Sequence, residues 1–501
     1  MSDHPEKSIG SQDGQFKLSV VMPVYNTAQY LDASIGSVIS QTIGFEENIQ
    51  LVLINDGSTD DSARICLQYR DRYPGNVTYV YKENAGVSAA RNFGMQYIKG
   101  KYVNFFDSDD IWAEDAFEKV YAFFEEHDVD LTTCRAQYYE NFEDVAHPLD
   151  FKFTGDRVVD LEQDYDHIIL MIGSSFFRSE KIKGRLFDTR LVAFEDAKFI
   201  SELMLDRMRY GALRSAIYHY RKRDDRTSAV NTVCDNPGWY TDVLLCSAFE
   251  LFDLSKARFG AVKRFIQATG MYLIQWYLKR GAPHRVLPKA DADAFMTYFG
   301  KLLEDIGIDV IYENKQLRLY QKLYLIKMKC GDDVLARAEY DKGKLRIDGQ
   351  RVFNFVNAAR FRITDISTSK KTLLVCGRTD LTLASDALEL FAADDKTGAR
   401  YPLTLTDDPD GARFVFTDVA VYTPRRFTVA LPVEKNLKLG FTAQWQDHEI
   451  RLVPALDFDT KNVLDESDGV LRLGRYIVRY DTKKRRLSCT ARTLRSLLRP
   501  R

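Results

Sequence analysis

Apolar residues along the first 110 positions alternate between short continuous runs and sets at helical spacing. Residues 18–24 form a run rich in β-branched side chains, which predicts a buried strand. Pro23 predicts its close, because proline cannot donate to a central ladder. Residues 28–41 then carry Leu31, Ile35, Val38 and Ile39 on one helical face. A second strand at 49–54 breaks at Asn55-Asp56-Gly57-Ser58, and helical spacing returns over 62–69. A third strand at 77–81, a helix at 87–98 and a fourth strand at 102–106 follow. The fourth ends in the polar residues Asp107 to Asp110. This alternation predicts crossover units and a parallel sheet, with ligand beyond the carboxyl ends of the strands. Asn26, Asp56 and the acids at 107–110 all fall there.

The pattern is mixed over 129–220, with shorter strands and a helix beginning near Asp196. Residues 237–329 read as mostly helical and hold Trp239, Phe249, Tyr272, Trp276 and Tyr320. Beyond Cys330 the period changes to two, which predicts strands at 334–340, 344–347, 372–376, 414–417 and 427–431. Asp341-Lys342-Gly343 and Asp408-Pro409-Asp410-Gly411 are turn signals between them. Short strands at this spacing predict a β-sandwich. The expected organisation is a polar arm at 1–16, an α/β domain at 17–235 and a helical connector or acceptor region at 236–330. An all-β, sandwich-like domain at 331–460 and a basic segment at 461–501 complete it.

Composition changes this picture little. Of the 501 residues 45% are apolar and 28% charged, and the formal net charge is -2. That is an ordinary soluble balance and excludes a generic nucleic-acid binder. Charge is uneven, however: residues 471–501 hold eleven Lys or Arg against one acid, Asp481. Leucines and arginines alternate over 487–498, which suits an anionic membrane surface or a polyanionic acceptor, or else a solvated tail. The seven cysteines show no CxxC or metal-ligand spacing, as expected of reduced thiols in the cytoplasm. No signal-like stretch opens the chain, and no run of 18 apolar residues occurs. The expected place is the cytoplasm, with peripheral attachment to the inner face of the membrane through the basic end.

Phe105-Phe106-Asp107-Ser108-Asp109-Asp110 carries the most chemistry. An apolar strand delivers carboxylates into a cleft, where a hard divalent cation, Mn2+ or Mg2+, can take oxygen ligands and pyrophosphate oxygens together. Asp109 or Asp110 would serve equally as the N-cap of a helix starting near Ala113.

Three further motifs precede this one in order: Pro23-Val24-Tyr25-Asn26, then Asn55-Asp56-Gly57-Ser58-Thr59-Asp60, then Asn84-Ala85-Gly86-Val87-Ser88-Ala89-Ala90-Arg91-Asn92-Phe93-Gly94. Together the four resemble glycosyltransferase family 2, and weaker likeness continues to about residue 231. The resemblance implies a GT-A fold, a nucleotide-sugar donor and inversion at the anomeric carbon. It implies that Pro23, Val24 and Tyr25 line the base pocket with Asn26 beside them, and that Asp56 accepts the N3 hydrogen of uracil. An Asx-turn would suit the Asp-Gly-Ser setting as well. Asn84 and Arg91 would meet the nucleoside or a phosphate. Asp107 would hold ribose or a metal-bound water, with Ser108 beside it, and Asp109 would ligate the metal.

An inverting transferase needs a base opposite the leaving group. Phe194-Glu195-Asp196 resembles the family's Glu-Asp pair, with Asp196 the base and Glu195 binding a sugar hydroxyl; an N-cap is the plainer use of the same acids. The run Tyr220-Arg221-Lys222-Arg223-Asp224-Asp225-Arg226-Thr227-Ser228 resembles the segment over the donor diphosphate in teichoic-acid-modifying relatives, and Arg223 and Ser228 fit there best. The Gln-X-X-Arg-Trp signature of processive membrane synthases is missing. The expected reaction moves a hexose or N-acetylhexosamine from a uridine diphosphate sugar to a polyanionic or lipid-linked glycan polymer. Self-association through the β region is a further expectation. A transferase for protein side chains and a non-catalytic glycan-binding scaffold are the alternatives.

Overall fold

The computed structural model describes residues 16–139, 147–222, 232–280, 282–355, 361–369, 371–383, 388–409, 413–416, 419–432, 437–456, 470–473, 476–481 and 486–491. The chain forms two compact units, Met1–Asp305 and Ile306–Arg501. The division falls inside the stretch read from sequence as one helical region.

The first unit is built on a nine-stranded mixed sheet. Its strands are β1 (Phe16–Val24), β2 (Ile49–Asp56), β3 (Val77–Lys82), β4 (Gly100–Phe105), β5 (Ile111–Trp112), β6 (Leu131–Tyr139), β7 (Arg157–Asp160), β8 (Ser175–Arg178) and β9 (Arg209–Arg221). The order is β3-β2-β1-β4-β8-β6-β9-β5, with β7 also on β9. The first four pair in parallel, as the alternation predicts. β8 runs antiparallel between β4 and β6 and turns the sheet mixed. All eight residues of β2 are buried, the signature of a strand covered on both faces.

Helices α1 (Ala28–Ile39), α2 (Ser62–Arg72), α3 (Val87–Gly94), α4 (Ala116–Glu126) and α5 (Glu195–Arg207) connect the strands. The helix expected over 87–98 ends at Gly94 and tightens into a 3-10 turn, Met95–Tyr97. The helix expected from Ala113 starts at Ala116, because 111–112 is spent pairing with β9. Asp109 and Asp110 therefore cap no helix.

Beyond the sheet, the first unit adds α6 (Glu250–Phe259), α7 (Arg264–Arg280) and α8 (Lys289–Glu304). Aromatic rings hold them together: Tyr277 meets Trp239 at 5.3 Å and Phe295 at 5.1 Å, and Tyr240 meets Phe295 edge-on at 5.5 Å. Such contacts add to area burial by about 0.5–1.5 kcal/mol each.

In the second unit, α9 (Leu319–Cys330) precedes a three-stranded meander and sheets of five and seven strands. Phe361 and Phe427 of the five-stranded sheet meet Phe441 of the other at 5.1 and 6.4 Å, a sandwich-like core. The strand expected over 334–340 is absent: Asp332–Leu335 is a 3-10 turn and only Glu339–Asp341 pairs. Alternation there reflects Val334 and Leu335 capping a core rather than a pleat. Lys342 (φ 46°) and Gly343 (φ 82°) make a tight hairpin between Asp341 and Lys344. Asp410 and Gly411 of the turn expected at 408–411, and most of the basic segment, lie outside the described residues.

Candidate active site

The site grows from the carboxyl ends of β1, β2 and β4. Pairing of β1 with β4 stops at Val21 opposite Phe105, whereas pairing with β2 runs on to Val24 opposite Asn55. Pro23 thus stands where β4 has already departed and no ladder needs its missing amide. Tyr25 beyond it is 51% exposed. Asn26 takes a left-handed conformation (φ 53°), and its Oδ1 accepts the Thr59 amide at 2.8 Å. Its own amide donates to Ser58 Oγ at 3.2 Å, so the first and second motifs are stapled together.

Asp56 ends β2 with its carboxylate almost wholly buried. Oδ1 accepts from Lys82 and from the Ala85 amide at 3.1 Å, while Oδ2 accepts the Gly86 amide at 3.0 Å. A carboxylate offers about four lone-pair sites, so one acceptor position remains. Asn84 Oδ1 also takes the Gly86 amide, at 3.3 Å. Gly57 (φ 76°) lets this loop close in, since a Cβ there would lie 2.9 Å from the Asn84 nitrogen. The loop then opens α3, which delivers Arg91.

Arg91 is the centre of the arrangement. Its buried guanidinium donates from Nη1 to Asp196 Oδ1 at 2.7 Å and Glu195 Oε1 at 3.1 Å, and from Nη2 to Asp107 Oδ1 at 3.0 Å. Its Nε has no partner among the described residues. Phe187 lies under the guanidinium at 5.3 Å. Three carboxylates from two distant segments are thereby gathered on one cation, whose charge they hold firmly.

Glu195 and Asp196 are the first residues of α5, where the helix dipole also favours negative charge. The preceding Phe194 is left-handed (φ 66°), an unusual conformation for a bulky residue that commonly marks function. Asp196 Oδ2 also accepts the Ile172 amide at 3.2 Å. Burial pushes the Asp196 carboxyl up to about 8; Arg91 opposes this, while Glu195 and Asp107 add to it.

The acids after β4 divide the work. Asp110 is buried and accepts from the Tyr218 hydroxyl and, at 2.7 Å, the Arg221 amide. Burial foremost, then Asp109 and Asp107, push its pKa well up. Burial likewise raises Asp107, against Arg91. The Asp109 carbonyl accepts Arg221 Nε at 2.7 Å, and the Asp109 side chain is half-buried. The Arg221 guanidinium stands 4.6 Å from the rings of both Tyr30 and Tyr139. Among the described residues no three His, Cys, Asp or Glu side chains converge closely enough to hold an ion unaided.

Ser108 is drawn elsewhere: its hydroxyl bonds Thr27 Oγ1 at 3.0 Å and its carbonyl accepts from Ser34 at 3.0 Å, fixing the acidic loop on α1. Arg223 and Ser228 lie outside the described residues. Sequence reasoning missed Lys82, Tyr218, Arg221 and the Ile172 amide as partners of the acids. Lys82 was within reach, since it stands opposite Asp56 in the parallel register of β2 and β3. The others come from β9 and from the bend before β8, which no local pattern links to the first 110 residues.

Residues 19–185 match Glycosyl transferase family 2. The chain is similar to the minor teichoic acid biosynthesis protein GgaB of Bacillus subtilis (strain 168), with 36% identity over 64% of this chain; it spans only 35% of that relative. Similarity to GgaA of the same organism is 33% over 65% of this chain and 74% of GgaA. The crystal structure of S. aureus TarS superposes with a TM-score of 0.54 at 17% identity, covering 96% of this chain and 86% of that one. TarS 1–349 in complex with UDP-GlcNAc gives 0.51 at 19%, over 67% and 97%. That likeness shows the fold: a GT-A-like α/β domain, a helical region, then C-terminal β-sheets. With the strand-end motifs in order and GgaA matched over 74% of its length, the chain belongs to glycosyltransferase family 2.

Proposed function

We propose that this chain transfers a hexose or N-acetylhexosamine from a uridine diphosphate sugar to a bacterial envelope polymer of the teichoic acid class, with inversion. The observation that carries it is the Arg91 node, which gathers Asp107 of the donor-side loop and Asp196 of α5 on one buried guanidinium. Base, leaving-group side and acceptor side then share one cleft. The names of GgaA, GgaB and the UDP-GlcNAc complex of TarS support the polymer and the donor.

In this reading the uracil ring lies by Pro23, Val24 and Tyr25 with Asn26 and Asn84 bordering it, and its N3–H takes the remaining acceptor site of Asp56. Asp196 accepts the proton of the acceptor hydroxyl as that oxygen attacks the anomeric carbon from the face opposite the diphosphate. The bond from that carbon to the diphosphate oxygen breaks, and uridine diphosphate leaves with the electron pair. Glu195 binds a hydroxyl of the sugar. Asp109, half-buried among crowded carboxylates, is the residue that would hold a hard divalent cation there. When bound, such an ion, Mn2+ or Mg2+, would offset charge on the leaving group. Arg223 and Ser228 would cover the diphosphate, and the basic end would meet the polymer or an anionic membrane.

Asp196→Asn keeps the shape and removes the base. Turnover of a uridine diphosphate sugar in the presence of polymer should fall by about 10²–10⁴, while calorimetry should find uridine diphosphate bound as before. Near-normal turnover in this variant would remove Asp196 from its role.

A further inference from the structure

Beside the base stands an aromatic wall that the catalytic reading leaves unused. The left-handed turn at Phe194, immediately before Glu195 and Asp196, sets its ring 6.1 Å from Tyr272 and 5.8 Å from Trp239. Tyr272 and Trp276 are one turn apart on α7, with ring centroids 6.4 Å apart. Both are half-buried, as are Phe194 and Tyr138. Tyr138 lies near enough to Tyr272 to help burial push up the latter's hydroxyl pKa. The Tyr138 ring in turn stands 6.0 Å from Tyr220, whose hydroxyl feels burial first and then Asp110, Asp107 and Asp109. The ring contacts therefore run from the base through Phe194 to Tyr272 and Trp276 on α7, while Tyr138 stands beside Tyr220.

Trp239, fully buried behind Phe194, explains itself as core; the half-buried rings do not. An aromatic face that keeps a polar rim suits a ligand with one apolar face and hydroxyls at its edge. A pyranose ring has that form, whereas an extended polyol has no flat apolar face. Cations stand in the same region: Lys222 lies 5.3 Å from the Tyr138 ring, and Arg264, eight residues before Tyr272 on α7, lies 4.1 Å from Tyr165. Phosphate linkers on either side of a sugar would be tolerated there.

We propose that Phe194, Tyr272 and Trp276 form the acceptor subsite, and that the unit it takes is a pyranose ring of the acceptor chain, seated in the corner between Tyr272 and Trp276, whose planes stand 65° apart, with a hydroxyl toward Asp196. This rests on the glycosyltransferase reading for the direction of that hydroxyl. The selection of a ring over a polyol rests on the wall itself.

The test is calorimetric titration of the full chain, saturated with uridine diphosphate, with three probes: N,N',N''-triacetylchitotriose, maltotriose and poly(glycerol phosphate). At least one trisaccharide should bind saturably, and Tyr272→Ala and Trp276→Ala should each weaken it by about tenfold or more, a loss readily resolved by titration. Tyr272→Phe and Trp276→Tyr should retain most of the affinity, which a loss of folding would not allow. Uridine diphosphate binding reports that each variant is folded. Binding of poly(glycerol phosphate) alone, of neither trisaccharide, or of a trisaccharide indifferent to both alanine variants overturns the proposal. Failure of the transferase reading would show differently: the unaltered chain would consume no uridine diphosphate sugar while sugar binding still depended on Tyr272 and Trp276.

Discussion

At the scale of single residues, charge burial decides most of what this site does. Asp196 works as a base only when ionised, and its carboxyl is held up to about 8 by burial, with Glu195 and Asp107 adding repulsion. Raised pKa means the proton stays on longer as pH climbs. The expected profile of kcat/KM therefore rises with pH and levels off above about 8. A profile flat from pH 6 to 9 would contradict the assignment. Arg91 is the larger of the two influences that oppose that rise, the Ile172 amide being the other, so Arg91→Gln should move the limb to still higher pH. The same change strands three carboxylates and should lower stability by about 3–5 kcal/mol, read by urea unfolding. Lys152 provides the converse case. It is buried, donates to the Ile168 carbonyl at 2.9 Å, and burial lowers its pKa to about 7. Between about 7 and its ordinary 10.5 the unfolded chain binds more protons than the folded one, so this group makes stability rise with pH across that window. Below it the full penalty remains. Lys152→Met should accordingly stabilise the protein by about 1–3 kcal/mol at pH 7 and flatten the slope above.

At the scale of elements, the parallel half of the sheet was legible and the mixed half was not. β1, β2 and β4 announce themselves as apolar runs because both their faces are covered, and each ends in polar residues because the sheet ends there. Asp56, Arg91, Asp107 and Asp109 could be found from that rule together with the motifs. The bond from Arg91 to Asp196 joins residues 105 positions apart, and no period or spacing carries such information. The acid at 110 was legible only as a cap, since its partners Tyr218 and Arg221 arrive on β9. Close approach of loops was legible through glycine alone. Gly57→Ala would force a left-handed residue with a side chain against the Asn84 backbone. It should cost more than about 1 kcal/mol and loosen uridine diphosphate binding, because the 84–86 loop that clasps Asp56 would be pushed away.

At the scale of the molecule, the decisive matter is which core each helix belongs to. The sequence reads as mostly helical from 237 to 329, so it suggests a single connector and a cut near residue 330. The compact units instead part between Asp305 and Ile306. On one side, Phe295 and Phe299 of α8 pack on Tyr277 within the first unit. On the other, Tyr320 of α9 stacks on Tyr422 at 4.6 Å and meets Phe414 at 5.2 Å, while Tyr324 meets Phe416 at 6.0 Å. A helix takes the side of the rings it buries, whatever its neighbours in sequence. A fragment ending at Asp305 should thus unfold cooperatively, stay monodisperse and bind uridine diphosphate. One ending at Cys330 would carry α9 with Tyr320 and Tyr324 stripped of their partners, along with the otherwise buried Leu323, Leu325 and Ile326. An apolar face of that kind drives association. Light scattering of the two fragments at equal concentration would decide the matter: a longer fragment as monodisperse as the shorter would return α9 to the first unit.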